Sequence, residues 1–353
     1  MKNIAFAIPN FRGGGAENVI VNLANYFTNK YKVHLIVLIK DGPNLLKVNK
    51  EIYIHDMKYS SSIKSIFRIK EIILENNIDV IVGTLAMAHA ISLLKLIGPS
   101  NCKYIARLGN TISYDLENYS FFKKVIMKQY QKVLQFSDLI ICQSKGMQKD
   151  LNNYINIKNT VVIYNPIDLQ KIYEKSIQSK DLKIDSDYFN IISVGRLSYQ
   201  KDYKTSLLAF KKFNEKFDKS RYYILGEGIE FDTLVEFTKE LKLEESVFFL
   251  GYVENPYPYI KDSDILLLTS LYEGFSNVIL ESLSLSIPVV ATNSPGGNSE
   301  IIINGINGFL SPLQNPEKIA IDMEKIKNST GFNICTDRYQ IKNIGAEYEK
   351  NFN

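Results

Sequence analysis

Two acidic residues, Glu273 and Glu281, are separated by seven residues in the stretch SLYEGFSNVILESLSLSIPVVAT. The first precedes a glycine in a predicted loop, and the second lies on a predicted short helix that begins near Ser276 or Asn277. The N–H groups in the first turn of a helix have no partners within the helix and favour negative charge. Glu281 lies too far along the helix to be the acidic residue of a capping box. The stretch therefore predicts a row of N–H donors with one carboxylate at either end.

These donors and acceptors suit a ligand that carries both phosphates and sugar hydroxyls. The N–H groups of Phe275 through Val278 can bind phosphate and sugar oxygens, and the two carboxylates can accept hydrogen bonds from vicinal hydroxyls. The predicted strands ILLLTS and PVVAT flank the helix, so its charges do not resemble those of an ordinary protein surface. The pattern indicates a sugar nucleotide that lies across the loop.

A second motif, SVGRLSYQKD, places two cations after a predicted strand. The strand at 190–194 ends at Gly195, Arg196 and Lys201 lie in the loop that follows, and a helix comes next. Two cations beside a helix N-terminus can neutralise a diphosphate. An exposed pair of loop charges is the alternative interpretation.

Three glycines, Gly13, Gly14 and Gly15, join a predicted strand to a predicted helix near the start of the chain. Glycine lets a backbone approach a ligand closely, and the helix N-terminus favours a phosphate. The spacing is neither G-x-G-x-x-G nor G-x-x-x-x-G-K-[ST], so a flexible turn is the alternative.

Metal-binding patterns are weak in this sequence. D-S-D occurs at 185–187 and 262–264, but neither copy follows a strand as a metal–diphosphate motif would. The three histidines, His34, His55 and His89, share no ligand spacing, and His34 lies within a predicted strand as a packed residue. We therefore expect no cofactor and no metal, so that cationic side chains supply the positive charge.

Apolar runs alternate with helical patterns along the chain, and these runs and patterns predict the strands and helices that position the residues above. This alternation predicts an α/β protein with two doubly wound parallel sheets. We expect a first domain at 1–170, a linker at 171–187, a second domain at 188–328, and a helical segment at 329–353 that crosses back to the first domain. The carboxyl ends of the strands would then face a central cleft, where ligands bind by default.

Composition limits the environment of the protein. The chain has 353 residues and three cysteines, which form no disulfide framework and fit a reducing compartment. The apolar run at its start is too short for a signal peptide, and no run is long enough to span a bilayer. We therefore expect a cytoplasmic protein, with a peripheral position at the inner face of the cell membrane as a further alternative.

Charge is distributed unequally along the chain. Residues 1–170 carry 21 Lys and Arg against 12 Asp and Glu, a balance of +9, whereas the rest carries 21 against 26, a balance of −5. The basic half is predicted to meet something anionic. Scattered, solvated lysines are the alternative.

Several motifs together resemble the retaining glycosyltransferases of family 4. They are GGGAENV, VVIYNPID, VGRLSYQKD, ILGEG, DILLLTSLYEGFSNVILESLSLSIPVVAT and GGNSEIIINGINGFL, in that order from the first residues to near Pro312. The resemblance implies the GT-B fold, in which two Rossmann-like domains bind the acceptor (first domain) and the nucleotide sugar (second domain).

The resemblance also implies roles for individual residues. Arg196 and Lys201 would hold the donor diphosphate, Glu273 would face the hydroxyls of the donor sugar, and Glu281 would bind the ribose hydroxyls. The donor-binding set is completed by Gly14 and Gly15 from the first domain and by the N–H groups of Gly274, Phe275, Ser276, Asn277 and Val278.

One segment departs from the family pattern. Many relatives carry a histidine near the reaction centre, whereas this chain reads ARLGNTISYD, which offers Arg107 and Asn110 on the acceptor side. No side chain is assigned as a general base, because in a retaining front-face mechanism the leaving phosphate can itself take the proton of the acceptor.

The expected function is retaining transfer of a sugar from a UDP- or GDP-sugar to a glycan acceptor. A lipid-linked acceptor in the synthesis of bacterial-type capsule, O-antigen or lipopolysaccharide is favoured, with a soluble small molecule as the alternative. A nucleotide-sugar epimerase of the same fold and a non-catalytic two-lobed binding protein are the competing functions.

The segment YSFFKKVIMKQYQKVLQF is a predicted amphipathic helix in the basic half. An apolar face is expected from Phe122, Val125, Ile126, Val133 and Leu134, with Lys123, Lys124, Lys128 and Lys132 on other parts of the surface. Such a helix can rest on an anionic membrane. A helix packed on the sheet, with a solvated lysine edge, is the alternative.

Overall fold

The computed structural model describes residues 1–12, 14–115, 120–329 and 331–352. Tertiary contacts divide the chain into a first unit, Met1–Pro166 with Arg338–Asn353, and a second unit, Ile167–Asp337. The division after Pro166 comes four positions before the predicted boundary at 170. The C-terminal residues group with the first unit.

The first unit is built on a seven-stranded parallel sheet with the order β3-β2-β1-β4-β5-β6-β7. Its strands are β1 (Asn3–Ile8), β2 (Lys32–Val37), β3 (Tyr53–Asp56), β4 (Val80–Thr84), β5 (Lys103–Arg107), β6 (Leu139–Cys142) and β7 (Thr160–Val162). The central strands are nearly continuous apolar runs, as expected for a sheet that is covered on both faces. Sequence patterns missed β3, an edge strand in which half-buried and exposed residues replace the apolar run.

Helices connect these strands. They are α1 (Gly15–Phe27), α2 (Ile66–Glu75), α3 (Ala86–Leu94), α4 (Ile112–Asp115), α5 (Phe121–Gln131) and α6 (Lys145–Ile155), with 3-10 turns at Pro43–Lys47 and Lys132–Phe136. In α1, buried residues such as Val19, Leu23 and Phe27 recur every three or four positions and pack on the sheet.

A buried histidine in β2 makes the stability of the first unit depend on pH. The His34 ring is fully buried, and its Nδ1 lies 2.9 Å from Nε2 of His55 in β3. Burial, with smaller contributions from His55 and Lys32, lowers the pKa of His34 from 6.5 to about 4. The folded protein therefore keeps this ring neutral, whereas the unfolded chain takes up a proton below pH 6.5.

We expect acidification from pH 6.5 to about 4 to cost the fold about 3 kcal/mol through His34, because the unfolded chain binds more protons across that window. Urea unfolding of the wild type and of His34→Asn across this window measures the effect. The variant, which has no proton to gain at this position, is expected to lose less stability on acidification. Equal losses in the two proteins would contradict the assignment.

The second unit is built on a six-stranded parallel sheet with the order β10-β9-β8-β11-β12-β13. Its strands are β8 (Phe189–Val194), β9 (Ser220–Leu225), β10 (Val247–Gly251), β11 (Ile265–Leu268), β12 (Val289–Thr292) and β13 (Gly308–Ser311). Its helices are α7 (Leu169–Ser176), α8 (Tyr203–Asn214), α9 (Phe231–Glu240), α10 (Tyr257–Lys261), α11 (Asn277–Ser284), α12 (Asn298–Ile301) and α13 (Pro316–Lys327), with a 3-10 turn at Tyr199–Lys201. The predicted linker, residues 171–187, begins inside α7.

The order of the strands places a topological switch point in each sheet. In the second sheet β8 lies between β9 and β11, so the chain leaves β8 toward one side and later returns to pair on the other. Ligands of open α/β sheets bind at such a point, beyond the carboxyl ends of the strands. The corresponding point in the first sheet lies between β1 and β4.

The last helix, α14 (Ile341–Lys350), packs against α1 and follows a 3-10 turn at Asp337–Tyr339. Its buried residues Ile344 and Tyr348 join the core of the first unit. Among the helices that the structure describes, none has both the length and the apolar character to cross a membrane.

Candidate active site

Two loops lie side by side at the switch point of the second sheet. One follows β8 and the other follows β11, and hydrogen bonds join them. The N–H of Leu271 donates to the carbonyl of Gln200 at 2.8 Å, and Nε2 of Gln200 donates to the carbonyl of Tyr272 at 2.8 Å. The Thr269 hydroxyl lies 3.0 Å and 2.9 Å from the carbonyl oxygens of Lys201 and Asp202. These bonds hold the backbone that carries Lys201 against the backbone that carries Glu273.

Lys201 and Glu273 form an ion pair across the two loops. Nζ of Lys201 lies 2.6 Å from Oε1 of Glu273, and the two side chains are only 17% and 10% exposed. A Cβ atom on Gly195 would lie 3.4 Å from Cε of Lys201, so the lysine side chain passes over this glycine. The sequence predicted both residues for the site, but it did not predict that they contact each other.

A third loop, which follows β12, contacts the backbone of Glu273. The N–H of Glu273 donates to the carbonyl of Pro295 at 3.0 Å. Gly296 has a φ of +122°, and a Cβ atom there would lie 1.7 Å from the carbonyl oxygen of Glu273. Only glycine fits this position, in both backbone conformation and space. The sequence motif GGNSE contained this glycine, but it indicated no role for it.

Helix α11 begins at Asn277, which confirms the predicted start. Ser276 is its N-cap residue but makes no capping hydrogen bond through its side chain, so this side chain does not cap the N–H groups of the first turn. Gly274, Phe275 and Ser276 are buried, whereas Asn277 and Val278 are half-buried. The N–H groups that were predicted to bind phosphate and sugar oxygens belong to the residues that directly follow Glu273 in the chain.

Glu281 lies one turn further along α11 and is half-buried. Its Oε1 accepts a hydrogen bond from the hydroxyl of Tyr257, at 3.3 Å. Arg196 is exposed on the loop after β8, next to Gly195. The structure thus places Arg196, Lys201, Glu273 and the start of α11 at the carboxyl ends of two neighbouring strands.

The D-S-D segments lie elsewhere and use their carboxylates in the fold. Oδ2 of Asp264 accepts from the N–H of Asn190 at 2.6 Å, at the amino ends of β8 and β11 and therefore at the edge of the sheet opposite the site. Asp262 pairs with Lys180, and Asp185 lies 3.4 Å from Arg221.

In the first unit, the carboxylate of Glu17 lies next to the predicted glycine loop. Gly14 is the N-cap residue of α1 and Gly15 its first residue, whereas Gly13 lies outside the described residues. A Cβ atom on Gly14 would lie 2.2 Å from Oε2 of Glu17. The Glu17 side chain therefore lies directly beside Gly14, one of the residues that the sequence predicted for donor binding.

Arg107 lies beneath the surface of the first unit, which differs from the acceptor-side position that the sequence suggested. Its side chain is fully buried and donates to the hydroxyls of Tyr348 and Thr84, each at 3.1 Å, and to Oδ1 of Asn165 at 2.6 Å. Arg107 thus joins β5 to β4 and to α14. Asn110 is half-buried, and its Oδ1 accepts from the N–H of Thr111 at 3.0 Å.

Solved structures with the same architecture define the class of protein. HepE of Anabaena in complex with UDP has a TM-score of 0.78 at 18% identity, over 99% of this chain and 99% of that chain. TarM of S. aureus, in complex with Fondaparinux, alpha-GlcNAc-glycerol and UDP, has a TM-score of 0.78 at 13% identity, over 100% of both chains. The protein has the GT-B fold.

Sequence comparisons then identify the family. The model described as Glycosyl transferases group 1 matches residues 174–343, and the model described as Glycosyltransferase Family 4 matches residues 13–171. The N-acetylgalactosamine-N,N'-diacetylbacillosaminyl-diphospho-undecaprenol 4-alpha-N-acetylgalactosaminyltransferase of Campylobacter jejuni is 31% identical, over 89% of this chain and 87% of its own length. The O-antigen biosynthesis glycosyltransferase WclY of Escherichia coli is 26% identical, over 83% of this chain and 80% of its own. The chain belongs to glycosyltransferase family 4 and is a glycosyltransferase.

Proposed function

We propose that this glycosyltransferase moves a sugar from a UDP- or GDP-sugar to a lipid-linked glycan, with retention of the anomeric configuration, in the synthesis of a cell-envelope polysaccharide. The observation that carries the proposal is the Lys201–Glu273 pair, at 2.6 Å, at the switch point of the second sheet. A cation and a carboxylate that face one ligand can bind a diphosphate and a sugar at the same time.

The residues have separate tasks in this mechanism. Lys201 and Arg196 neutralise the diphosphate as its bond to the anomeric carbon breaks. Glu273 accepts hydrogen bonds from the hydroxyls of the donor sugar, and Glu281 accepts from the ribose. The acceptor oxygen bonds to the anomeric carbon on the face that the diphosphate leaves, and a leaving phosphate oxygen takes the acceptor proton. The enzyme contributes chiefly position and electrostatic stabilisation.

The relatives support the choice of substrates. The Campylobacter relative is named for an acceptor on diphospho-undecaprenol, and WclY is named for O-antigen biosynthesis. HepE has been solved with UDP and with UDP-glucose. These names favour a transferase with a lipid-linked acceptor over the epimerase and the non-catalytic binding protein.

The test is a matrix of UDP- and GDP-sugars against two kinds of acceptor, glycans on a polyprenyl diphosphate and the same glycans free in solution. We expect one nucleotide series to be consumed, with faster transfer to the lipid-linked glycan. NMR coupling constants of the product should show the anomeric configuration of the donor. Inversion at the anomeric carbon would refute the proposed mechanism, and equal transfer to free glycans would refute the lipid-linked acceptor.

We also propose that transfer needs no divalent metal, because Lys201, Arg196 and the start of α11 supply positive charge where the diphosphate would bind. Excess chelator is therefore expected to leave the initial rate unchanged. The measurement is transfer after exhaustive dialysis against EDTA, with and without added Mg²⁺ or Mn²⁺. Loss of activity that either ion restores would show that a metal is required.

The proposal extends to the inner face of the cell membrane through helix α5. No residue of α5 is buried, and its first turns expose Phe121 (75%), Phe122 (80%) and Ile126 (67%) together with Val125. Successive positions in this set are one or three apart, and Phe122 and Ile126 lie four apart on the same side of the helix, so the set forms one apolar surface. Hydrophobic surface of this kind on a helix marks an interaction site.

The other side of α5 faces the protein. The ring of Tyr130 stacks on His89 of α3 at 4.3 Å, and Oε1 of Gln131 lies 2.8 Å from Nε2 of His89. The predicted apolar face does not extend past Gln131, because the chain there changes to a 3-10 turn that buries Leu134. The most exposed apolar residues of the segment therefore lie in the first turns of α5, while Phe136 in the 3-10 turn is 38% exposed.

The charge of α5 favours an anionic lipid surface. The helix contains Lys123, Lys124 and Lys128 and no acidic residue, and Lys132 follows at its end. Aromatic and aliphatic side chains can enter the interface while neighbouring lysines pair with lipid headgroups, each worth about 1 kcal/mol near the surface.

Changing these four lysines to Gln is expected to weaken binding to anionic vesicles at least about tenfold at low salt, since several headgroup contacts are lost together. Co-sedimentation with vesicles of phosphatidylglycerol and phosphatidylcholine measures it. The control changes four exposed lysines elsewhere in the first unit, Lys50, Lys58, Lys64 and Lys158, to Gln. Absence of binding by the wild type, or equal binding by all three proteins, would contradict docking through α5.

A further inference from the structure

Tyr257 is a residue of the second unit that no sequence motif singled out. It is the first residue of α10, which packs against α7 and α11. Its hydroxyl donates to Oε1 of Glu281 at 3.3 Å. Tyr257 thus contacts the second of the two acids, Glu281, although it lies outside the stretch that contains them.

The tyrosine remains a donor in this pair. Burial, followed by the charge of Glu281, raises the pKa of Tyr257 well above its ordinary value of 10.0. The phenol therefore keeps its proton at neutral pH and acts as the donor in its hydrogen bond with the carboxylate.

The rest of α10 is held independently of Glu281. The hydroxyl of Tyr259 accepts from the N–H groups of Asp181 and Leu182, at 3.2 Å and 3.4 Å, and Nζ of Lys180 donates to the carbonyl of Pro258 at 3.2 Å. Tyr259 and Ile260 are buried. Tyr257 is thus presented from a helix whose position does not depend on the hydrogen bond to Glu281.

We propose that Tyr257 is a positioning residue for donor binding, which orients the Glu281 carboxylate toward the ribose hydroxyls of the nucleotide. The inference rests on the proposed role of Glu281. A carboxylate on a long side chain has many rotamers, and a bond from a fixed phenol reduces the number that must be frozen when the nucleotide binds. Replacement of Tyr257 is therefore expected to weaken the contact between Glu281 and the ribose, and to leave the contacts with the diphosphate and the sugar unchanged.

The experiment measures the dissociation constants of UDP and GDP, and of their 2′-deoxy and 3′-deoxy analogues, by calorimetry. We expect Tyr257→Phe to weaken binding of whichever ribonucleotide the wild type binds by about fivefold to tenfold, the size of a typical net hydrogen-bond contribution. Binding of the deoxy analogue that lacks the hydroxyl contacted by Glu281 should be weakened much less. Glu281→Ala should cause a larger loss for the ribonucleotide, and adding Tyr257→Phe to it should cause no further loss.

Tyr259→Phe, two positions along the same helix, is the matched control. It removes a hydroxyl that accepts from Asp181 and Leu182, so it is expected to lower the melting temperature and leave the nucleotide affinities unchanged. A purely structural effect of Tyr257→Phe would weaken ribo- and deoxynucleotides equally and would add to Glu281→Ala; either result overturns the inference. If Glu281→Ala binds normally, or neither UDP nor GDP binds the wild type, the proposed function fails as well.

Discussion

Replacing Glu273 with alanine is expected to lower sugar transfer by at least about 100-fold while the protein still folds. The carboxylate is 10% exposed and contacts Lys201 at 2.6 Å, so its removal takes away both the proposed acceptor for the sugar hydroxyls and the partner of a largely buried cation. The backbone of the loop remains held by the carbonyl of Pro295. Initial rates with the identified donor and acceptor, together with the melting temperature, measure the effect.

Glu273→Gln separates the charge of this residue from its shape. The amide keeps the volume and one acceptor oxygen, so we expect an intermediate rate if hydrogen bonding to the sugar dominates. The control is Glu324→Ala, which breaks the solvent-accessible pair of Lys216 (62% exposed) and Glu324 (33% exposed) in the same unit, at 3.0 Å. An exposed pair of this kind contributes about 0–1 kcal/mol, so its loss should leave transfer unchanged. Near-normal turnover of a folded Glu273→Ala protein would remove this residue from the proposed mechanism.

Lys201→Ala is expected to have the second large effect, a fall in transfer of about 100-fold together with weaker binding of UDP or GDP. The lysine is 17% exposed, so its charge acts on the diphosphate with little screening by water. The variant also leaves the Glu273 carboxylate without its cation, and that carboxylate then repels the diphosphate. Calorimetry of the nucleotide and initial rates measure the two losses separately.

The control for Lys201 lies close by in sequence. Lys204, in the first turn of α8, is exposed, and Lys204→Ala changes the net charge equally without touching Glu273. The double variant Lys201→Ala with Glu273→Ala is expected to lose less than the product of the single losses, because the two residues form one unit. Fully multiplicative losses, or nucleotide binding that is unchanged in Lys201→Ala, would contradict the shared role.

Local patterns allowed much of the fold to be predicted. The apolar runs of β1, β4, β8 and β11 and the periodic pattern of α1 were assigned correctly, because each signal is contained in a few consecutive residues. The start of α11 at Asn277 was predicted for the same reason. The sequence patterns did not predict strands β3 and β13 or helices α3, α4, α6, α7, α10, α12 and α13. Strand β3 is a half-exposed edge strand without an apolar run.

For the site, the sequence alone identified the chemical groups, namely two cations after one strand (β8) and two acids around the loop–helix turn after another (β11). It also indicated the family, because those groups stand in a specific context of strands and glycines. Only the tertiary structure decided which of them meet. Lys201 and Glu273 are 72 positions apart in the chain, and their contact depends on β8 and β11 being neighbours at the switch point of the sheet. The same is true of Tyr257, which reaches Glu281 from a helix that carries no motif, and of Gly296, which reaches Glu273 from a motif that indicated no role for it. A short motif records the chemistry of a segment, whereas the pairing of strands, which sets these contacts, is determined by the packing of the whole unit.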